Sequence, residues 1–555
     1  MLKKFGEGVR VRSDNLAAMS KLSVLGLGLR CPEQATQRCL DSLRQADRVF
    51  LISDNLEKQD WLRQLNPNFY NLMTHYALGK PRRDTYQEMA DQVLDCLKSG
   101  GNAALVSYGH PLVFCDPSRL AIEQTVGAGY ELEVLPGVSS IDCLLADLRV
   151  DAHQYGLQIY EGHDLLLHAV AVDPSCSQII FQVPSLGDNT GGWQPGRFRG
   201  FIRALGEKLA QSFGEDHEVV LYFGSNSPER PTRADRCLLK ELHQVEMVSE
   251  YTLWVPPLGY ESLPPDLQSR DVPVDLELAG TGMAWSDRTQ EMTDLMAGRD
   301  VYTLQAIPEL PEAVAVDDFT RLPADGRPKL VLFPAHPCNS GGVHWARQAQ
   351  AAGLSYRIRP SISWEGGVYC DVPIDPGLLG FQSFPARHQP PEPINLATLL
   401  RLPADPRPGA RYWGPVSAFQ EQAQADSVAL FVTGPSPRPI ENGPFLRALQ
   451  LSAVERLVAF LELHESRLVL QKNPSAKMWL HANLQLAGRE IREALAKTDL
   501  AQLAGDGNWS LYLLDHPEHP AAPYLLLRMR CEEALESVAK GISLEPLVGW
   551  IKAHR

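Results

Sequence analysis

Residues 351–382, AAGLSYRIRPSISWEGGVYCDVPIDPGLLGFQ, align without a gap to residues 127–158, GAGYELEVLPGVSSIDCLLADLRVDAHQYGLQ. Gly353 falls on Gly129, Pro360 on Pro136, Ser363 on Ser139, Asp371 on Asp147, Asp375 on Asp151 and Gln382 on Gln158. An ordered series of matches at constant spacing is an internal repeat, and it dictates a chain built twice on one plan. Upstream, DLELAGTGMAWSDRTQEMTDLMAGRDVYTL (275–304) parallels the unit that opens KLSVLGLGL at Lys21, with Gly280 and Gly282 in the places of Gly26 and Gly28. VLFPAHP (331–337) parallels LVSYGHP (105–111), and VALFVTGPSP (428–437) echoes VVLYFGSNSP (219–228).

Each unit reads as βαβ. In residues 21–52 an apolar strand runs into Gly26 and Gly28, a helical pattern follows from Pro32 to Ala46, and a second strand ends at Ile52. The Gly-x-Gly turn suits either a plain tight turn or the close approach of a nucleoside to main-chain groups. A helix is predicted over about Asp84–Leu97, with Tyr86, Met89, Ala90, Val93 and Leu97 on one face. The strand NAALVSYGH follows, and Gly137 and Ser139 open a further helix at the end of YELEVLP, where open α/β sheets hold ligands.

The two copies differ in one place. Leu105 follows Ile52 by 53 positions, whereas Val331 follows Leu304 by 27, so the second copy lacks the stretch around YALGKPRRDTYQEM. That stretch holds Tyr76, Arg82 and Tyr86, and Tyr108 of the following turn is matched by Pro334. An arginine among phenols is a poor core and a plausible device for moving a proton, which makes Tyr76, Arg82, Tyr86 and Tyr108 the candidate catalytic residues. The second copy is expected to be inactive and to pack on the first.

The boundaries follow from composition. Residues 1–20 form an N-terminal extension, 21–262 the catalytic unit and 272–440 its degenerate copy, divided by the Pro-rich run Pro256–Pro273. Residues 445–555 read as all-α, with a start signal at Asn473-Pro474-Ser475 and a stop at Gly505-Asp506-Gly507. His516 and His519 in DHPEHPAAP read as part of an extended surface loop, not as metal ligands.

The balance of 52 basic and 67 acidic residues, a net charge of −15, repels a phosphate backbone and argues against nucleic acid as partner. Ten cysteines without a CxxC or metal-ligand spacing fit a reducing compartment and no metal. The longest apolar runs, such as DLLLHAVAV, are too short to span a bilayer, so the expectation is a soluble, cytoplasmic protein with no membrane partner.

With VLGLGLRCPEQATQRCLDSLRQADRVF, SYGHPLVF and LPGVSSIDCLLADL, residues 21–260 resemble the tetrapyrrole methylase superfamily. YALGKPRRDTYQEM, YGHPLVF, LPGVSSIDCLLADL and FQV narrow the resemblance to the borosin peptide backbone N-methyltransferases. The resemblance implies an α/β, two-lobed tetrapyrrole methylase fold, here duplicated with a degenerate second copy and followed by the all-α region. It implies S-adenosylmethionine as cofactor and places the catalytic set on Tyr76, Arg82, Tyr86 and Tyr108. Cofactor-binding positions would be Gly26, Gly28, the turn Tyr108, Gly109, His110 and Pro111, then Phe114, Ser139, Phe181 and Gln182. Residues 473–509 are weakly similar to that family's helical recognition domain. The tail ESVAKGISLEPLVGWIKAHR has no Val/Ile/Gly-rich core of the kind such enzymes methylate in themselves, so the implied partner is a peptide supplied in trans. The assembly implied is an intramolecular pseudodimer or a homodimer.

An amide nitrogen is a weak nucleophile because its lone pair is delocalised into the carbonyl. Methyl transfer to it needs the proton removed, for which Tyr76 or Tyr86 is the expected base under the influence of Arg82, with Tyr108 donating to the amide oxygen. Two further readings stand beside this one: a tetrapyrrole C-methyltransferase of uroporphyrinogen or precorrin type, and a non-catalytic peptide-binding scaffold.

Overall fold

The structure is a computed structural model. It describes residues 20–167, 172–187, 199–227, 229–260, 267, 272–282, 285–304, 306–333, 335–371 and 375–376, with the strand segments 381–385, 397–401, 429–432, 477–483, 509–516 and 519–530. Nearly all of the N-terminal extension, Pro334 and most of 445–555 lie outside the described residues.

The first copy begins with β1 (Lys21–Gly26), α1 (Gln37–Gln45), β2 (Arg48–Ile52), α2 (Leu56–Leu65), β3 (Phe69–Asn71), α3 (Arg82–Lys98), β4 (Ala103–Ser107), α4 (Asp116–Ala128) and β5 (Glu131–Leu135). Its strands form a parallel sheet in the order β3-β2-β4-β1-β5. Central β4 is buried throughout, as its continuous apolar run AALV requires of a strand covered on both faces. Thr36 starts α1 by accepting from the Cys39 amide, and Asn55 starts α2 by accepting from that of Lys58. Helix α3 buries Thr85, Met89, Ala90, Val93 and Leu97, close to the face expected.

Next come α5 (Ser140–Leu148), α6 (Ala152–Tyr155), β6 (Leu157–Glu161), α7 (Gly162–Leu167), β7 (Ser177–Phe181), α8 (Arg199–Phe213), β8 (Glu218–Phe223), β9 (Arg233–Leu238) and β10 (Thr252–Val255). The second copy restarts with β11 (Leu276–Gly280), α9 (Gln290–Met296), β12 (Asp300–Thr303), β13 (Val314–Ala315), β14 (Lys329–Phe333), α10 (Gly342–Ala351), β15 (Tyr356–Ile358), α11 (Trp364–Asp371), β16 (Phe381–Pro385), β17 (Ala397–Arg401) and β18 (Ala429–Val432). Its first sheet is again all parallel, in the order β13-β12-β14-β11-β15, the order of the first copy strand for strand. Where the first copy has a loop and α3 between β3 and β4, the second has a 3-10 turn at Phe319–Arg321 between β13 and β14. Between β12 and β13 the described residues also hold no counterpart of α2, so the deletion inferred from spacing is the loss of two helices and the approach loop to α3.

The copies are joined about an approximate two-fold axis. Strands β16 and β6 pair antiparallel and merge the second lobes into an eight-stranded sheet, β18-β17-β16-β6-β7-β10-β8-β9, in which Gln382 faces Gln158. At the opposite end the two N-caps Thr36 and Thr289 bridge, with Gln37 N donating to Arg288 O and Gln290 N to Ala35 O. Between them His110 Nε2 bonds Gly366 O at 2.9 Å, while His336 Nε2 bonds Asp142 O at 3.0 Å. One apolar core runs through the seam, taking Leu144, Leu145 and Leu148 from α5 and Phe333, Trp345 and Tyr369 from the second copy.

The all-α expectation for 445–555 fails where that region is described. Strands β19 (Lys477–Asn483), β20 (Trp509–His516) and β21 (His519–Arg530) form an antiparallel sheet, β19-β21-β20. Short apolar runs such as KMWL and YLLL satisfy helix and strand periods alike, so pairing with a distant segment decides between them. His516 and His519 face one another at the β20–β21 turn. Among the described residues no helix is long and apolar enough to cross a membrane, and no cluster of His, Cys, Asp and Glu is placed to hold a metal.

Candidate active site

The site forms where the first sheet ends and the chain turns over its C-terminal edge. Gly26 closes β1 beneath the turn after β4: a Cβ there would lie 2.5 Å from Gly109 O, 2.8 Å from Gly137 N and 2.8 Å from Pro111 Cδ. Gly28 and Gly109 exchange both backbone hydrogen bonds, at 3.1 and 2.9 Å, and both sit at positive φ. The glycines are therefore required by chain crossing chain. The room expected at Gly28 for a ligand is taken by Gln34, whose Cβ would be 2.4 Å from an added methyl.

The four candidate catalytic residues meet on this floor. A 3-10 turn, Leu72–His75, delivers Tyr76, and a short loop returns at Pro81 into α3, whose first residue is Arg82. A cation at the positive end of a helix gains nothing from the helix dipole, so helix stability does not account for Arg82. The Tyr76 and Tyr86 rings meet edge to face with centroids 6.3 Å apart. Burial raises both phenols above the usual tyrosine range, Tyr86 the further, and the Arg82 charge offsets only part of it. Arg82 was expected to make a phenolate readily available; desolvation outweighs it, and both rest as neutral phenols.

Tyr108 is 55% exposed to solvent, yet the protein around it pushes its pKa up to about 12, with Cys115 and Tyr76 adding to the rise. Lys58 lies over the Tyr108 ring, 5.8 Å from its centroid. Its ammonium donates to Leu29 O at 2.6 Å, and burial lowers its pKa. Sequence reading passed over Lys58, since a lysine on an amphipathic helix normally points to water. It also missed Asp116, whose carboxylate acts on Tyr76, and Cys115, a buried thiol in the same apolar cluster.

The loop carrying Tyr76 is tied to α3. His75 bonds Glu88 through Nδ1 at 3.1 Å and Gln92 through Nε2 at 2.6 Å, and Lys80 Nζ reaches His75 O at 3.0 Å and Glu88 at 2.6 Å. Leu78 at the loop tip is 90% exposed.

The expected cofactor positions divide into two groups. His110 is buried, its Nδ1 accepting from the Leu112 amide at 3.1 Å and its Nε2 donating across the seam, so the ring is committed to the scaffold. Burial drops its pKa to about 4. The Ser139 hydroxyl is likewise committed, in a capping box with Asp142 that starts α5. Pro111 is buried. Phe114 and Phe181 instead stack on each other, centroids 4.0 Å apart at 24°, in the wall beside the phenols. Phe114 and Gln182 hold left-handed backbone conformations, φ 55° and 60°, which non-glycine residues adopt only where the surroundings enforce it. A cavity at the seam, lined by Asp147, Arg149, Arg357, Arg359 and Pro360 among others, shares no residue with this group.

The family of Tetrapyrrole (Corrin/Porphyrin) Methylases matches residues 21–169. A methyltransferase/ribosomally synthesized type III borosin cyclic peptide precursor of Anomoporia bombycina is 35% identical over 251 residues, covering 44% of this chain and 29% of its own length. A type II borosin cyclic peptide precursor of Phlebiopsis gigantea is 32% identical, with 43% of each chain covered. The cyclic peptide dendrothelin A precursor of Dendrothele bispora is 31% identical, with 44% of this chain and 60% of its own length covered. The chain thus spans less than two thirds of each of these curated relatives. Among solved structures, a uroporphyrin-III-C-methyltransferase of Thermus thermophilus is 19% identical, covers 45% of this chain and 98% of its own, and has a TM-score of 0.34. Residues 21–169 thus match the tetrapyrrole methylases, and the curated relatives named here are borosin methyltransferase precursors.

Proposed function

We propose that this chain is an S-adenosylmethionine-dependent methyltransferase that α-N-methylates backbone amides of a ribosomally made peptide supplied in trans. The observation that carries the reading is the edge-to-face Tyr76–Tyr86 pair beside Arg82, close to the turn of Tyr108. The relatives are named as methyltransferases fused to cyclic peptide precursors, which supports a peptide acceptor.

The wall beside the phenols fits the cofactor: two stacked aromatic rings suit an adenine, and main-chain groups of the 108–111 turn and of Gln182 border them. When bound, the sulfonium supplies an electrophilic methyl group. The chain's own residues handle the proton. Tyr76 is the base, because its phenol is raised less than that of Tyr86 and because it acts on the Tyr108 phenol. Arg82 stabilises the phenolate formed as the amide N–H is drawn to Tyr76 Oη. Tyr108, a neutral phenol to about pH 12, donates to the amide oxygen, where charge grows as the proton leaves. Leu78 offers an apolar contact to the acceptor beside the loop.

The second copy lacks the helix that carries Arg82 and Tyr86, so one chain has one catalytic site, and the two copies work as an intramolecular pseudodimer. Cytosolic residence fits nine described cysteines that are all free thiols. Incubation with labelled S-adenosylmethionine and candidate peptides tests the activity: tandem mass spectrometry should find one methylene unit of added mass per modified backbone nitrogen. Methylation confined to side chains would sink the proposal.

A further inference from the structure

One contact across the seam reaches the 110–114 turn of the first copy. Asp151 caps its own α6 through the Gln154 amide at 2.8 Å. Its repeat equivalent, Asp375, reaches into the other copy, where its Oδ1 accepts from the Phe114 amide at 3.0 Å. Phe114 is the residue held at φ 55° with its ring against Phe181. At the other end of the same turn, His110 is held by Gly366 O, by Cys370 Sγ at 3.4 Å and by the edge of the Tyr369 ring, centroids 5.7 Å apart. Gly366, Tyr369, Cys370 and Asp375 of the second copy therefore grip both ends of the 110–114 turn in the first.

We propose that Asp375 is a positioning residue for the first copy's cofactor site: it fixes the Phe114 amide in its left-handed conformation, and so fixes the Phe114–Phe181 ring pair against which an adenosyl group rests. A left-handed phenylalanine is strained, and the surroundings must offset that strain. An amide hydrogen bond to a buried carboxylate, stronger than one to a neutral acceptor, is suited to that task. The second copy thus contributes to cofactor recognition, while the tyrosines of the first contribute to chemistry. This rests on the reading of the 108–114 turn as a cofactor site.

The test is calorimetric titration of S-adenosylhomocysteine into the full chain and into D375A, D375N and H336Q, with thermal unfolding of each. S-adenosylhomocysteine needs no acceptor peptide, so binding is read apart from turnover. Loss of one hydrogen bond to a charged group should weaken binding by about tenfold or more in D375A. D375N keeps an acceptor oxygen without the charge and should bind roughly threefold weaker than wild type. H336Q breaks a seam hydrogen bond remote from Phe114 and should lower the melting temperature while leaving affinity at the wild-type level. In turnover, D375A should raise KM for S-adenosylmethionine and keep kcat at saturation. Wild-type affinity in D375A overturns the proposal, as does a loss in H336Q equal to that in D375A. If D375A does not fold, D375N decides, and unaltered affinity there overturns it. A wild-type chain that binds no S-adenosylhomocysteine overturns the cofactor reading itself, a result recognisable before any variant is made.

Discussion

Gln158 pairs with Gln382, its own counterpart in the repeat, across the boundary between the two copies. Ile159 faces Phe381 and Leu157 faces Ser383 on either side, so the pairing is symmetric about that one position. A residue opposite its own equivalent lies on a two-fold axis, and the Thr36–Thr289 bridge marks the same axis at the other end. Duplicated sequence has here become a symmetric interface whose two halves have different work.

Acid should loosen that interface. His110 and His336 are buried and neutral, each with its pKa dropped from 6.5 to about 4 by desolvation. A histidine whose folded pKa lies below its unfolded one contributes stability above about pH 6.5, lost as pH falls toward 4, because only the unfolded state takes the proton. Asp142 acts oppositely, its pKa raised to about 7 by burial, so it favours the folded state as pH falls from 7 toward 3.8. Two histidines against one carboxyl leave a net acid lability. Urea unfolding at stepped pH should show a midpoint falling between pH 6.5 and 4, with a shallower fall in H336Q. An equal slope in H336Q would contradict the assignment.

Removing the phenol of Tyr76 should cost chemistry and not binding. Y76F is expected to lower kcat by about a hundredfold or more, the usual scale for a general base, with S-adenosylhomocysteine affinity unchanged. Y108F should lose roughly tenfold to a thousandfold in kcat, as for an oxyanion donor. Single-turnover kinetics with isothermal titration separates these from unfolding.

The phenols are neutral at rest, so the rate should rise with pH. Tyr76 and Tyr86 are raised above 10 by burial, and Tyr108 reaches about 12. The profile of kcat should climb without a plateau through pH 9. A plateau near neutrality would mean that another group takes the proton.

Gly26→Ala should be among the most damaging single changes. The added methyl would meet three backbone or ring atoms within 2.8 Å, none at the end of a flexible side chain. A loss of about 3 kcal/mol or more is expected. Gly79→Ala, at φ 74° with nothing within 4 Å, should cost about 1–2 kcal/mol, the strain of the left-handed backbone alone. Differential scanning calorimetry of the pair checks the ranking.

The sequence disclosed what local period and internal comparison can carry. Helix α3, the strand before Tyr108, the repeat and the absence of α3 from the second copy were all legible, because each rests on spacing within a short window; the absence of a counterpart to α2 was not. The four candidate catalytic residues converge because β3 and β4 end, and α3 begins, at one edge of the sheet. Contacts across the seam were not legible: nothing in GGVYC says that Gly366 O will accept from an imidazole 256 positions earlier. The commitments of Ser139 to a cap and of His110 to the seam were hidden for the same reason. Strands β19 to β21 were misread because leucine-rich runs fit either period until a partner strand is known.

The most direct measurement is tandem mass spectrometry of peptides translated from the reading frames flanking this one, incubated with the full chain and S-adenosylmethionine. Methyl groups on backbone nitrogens, absent in Y76F and R82A under conditions where both variants still bind S-adenosylhomocysteine, are the predicted result. Untouched peptides together with carbon methylation of a uroporphyrinogen-type acceptor would contradict the account.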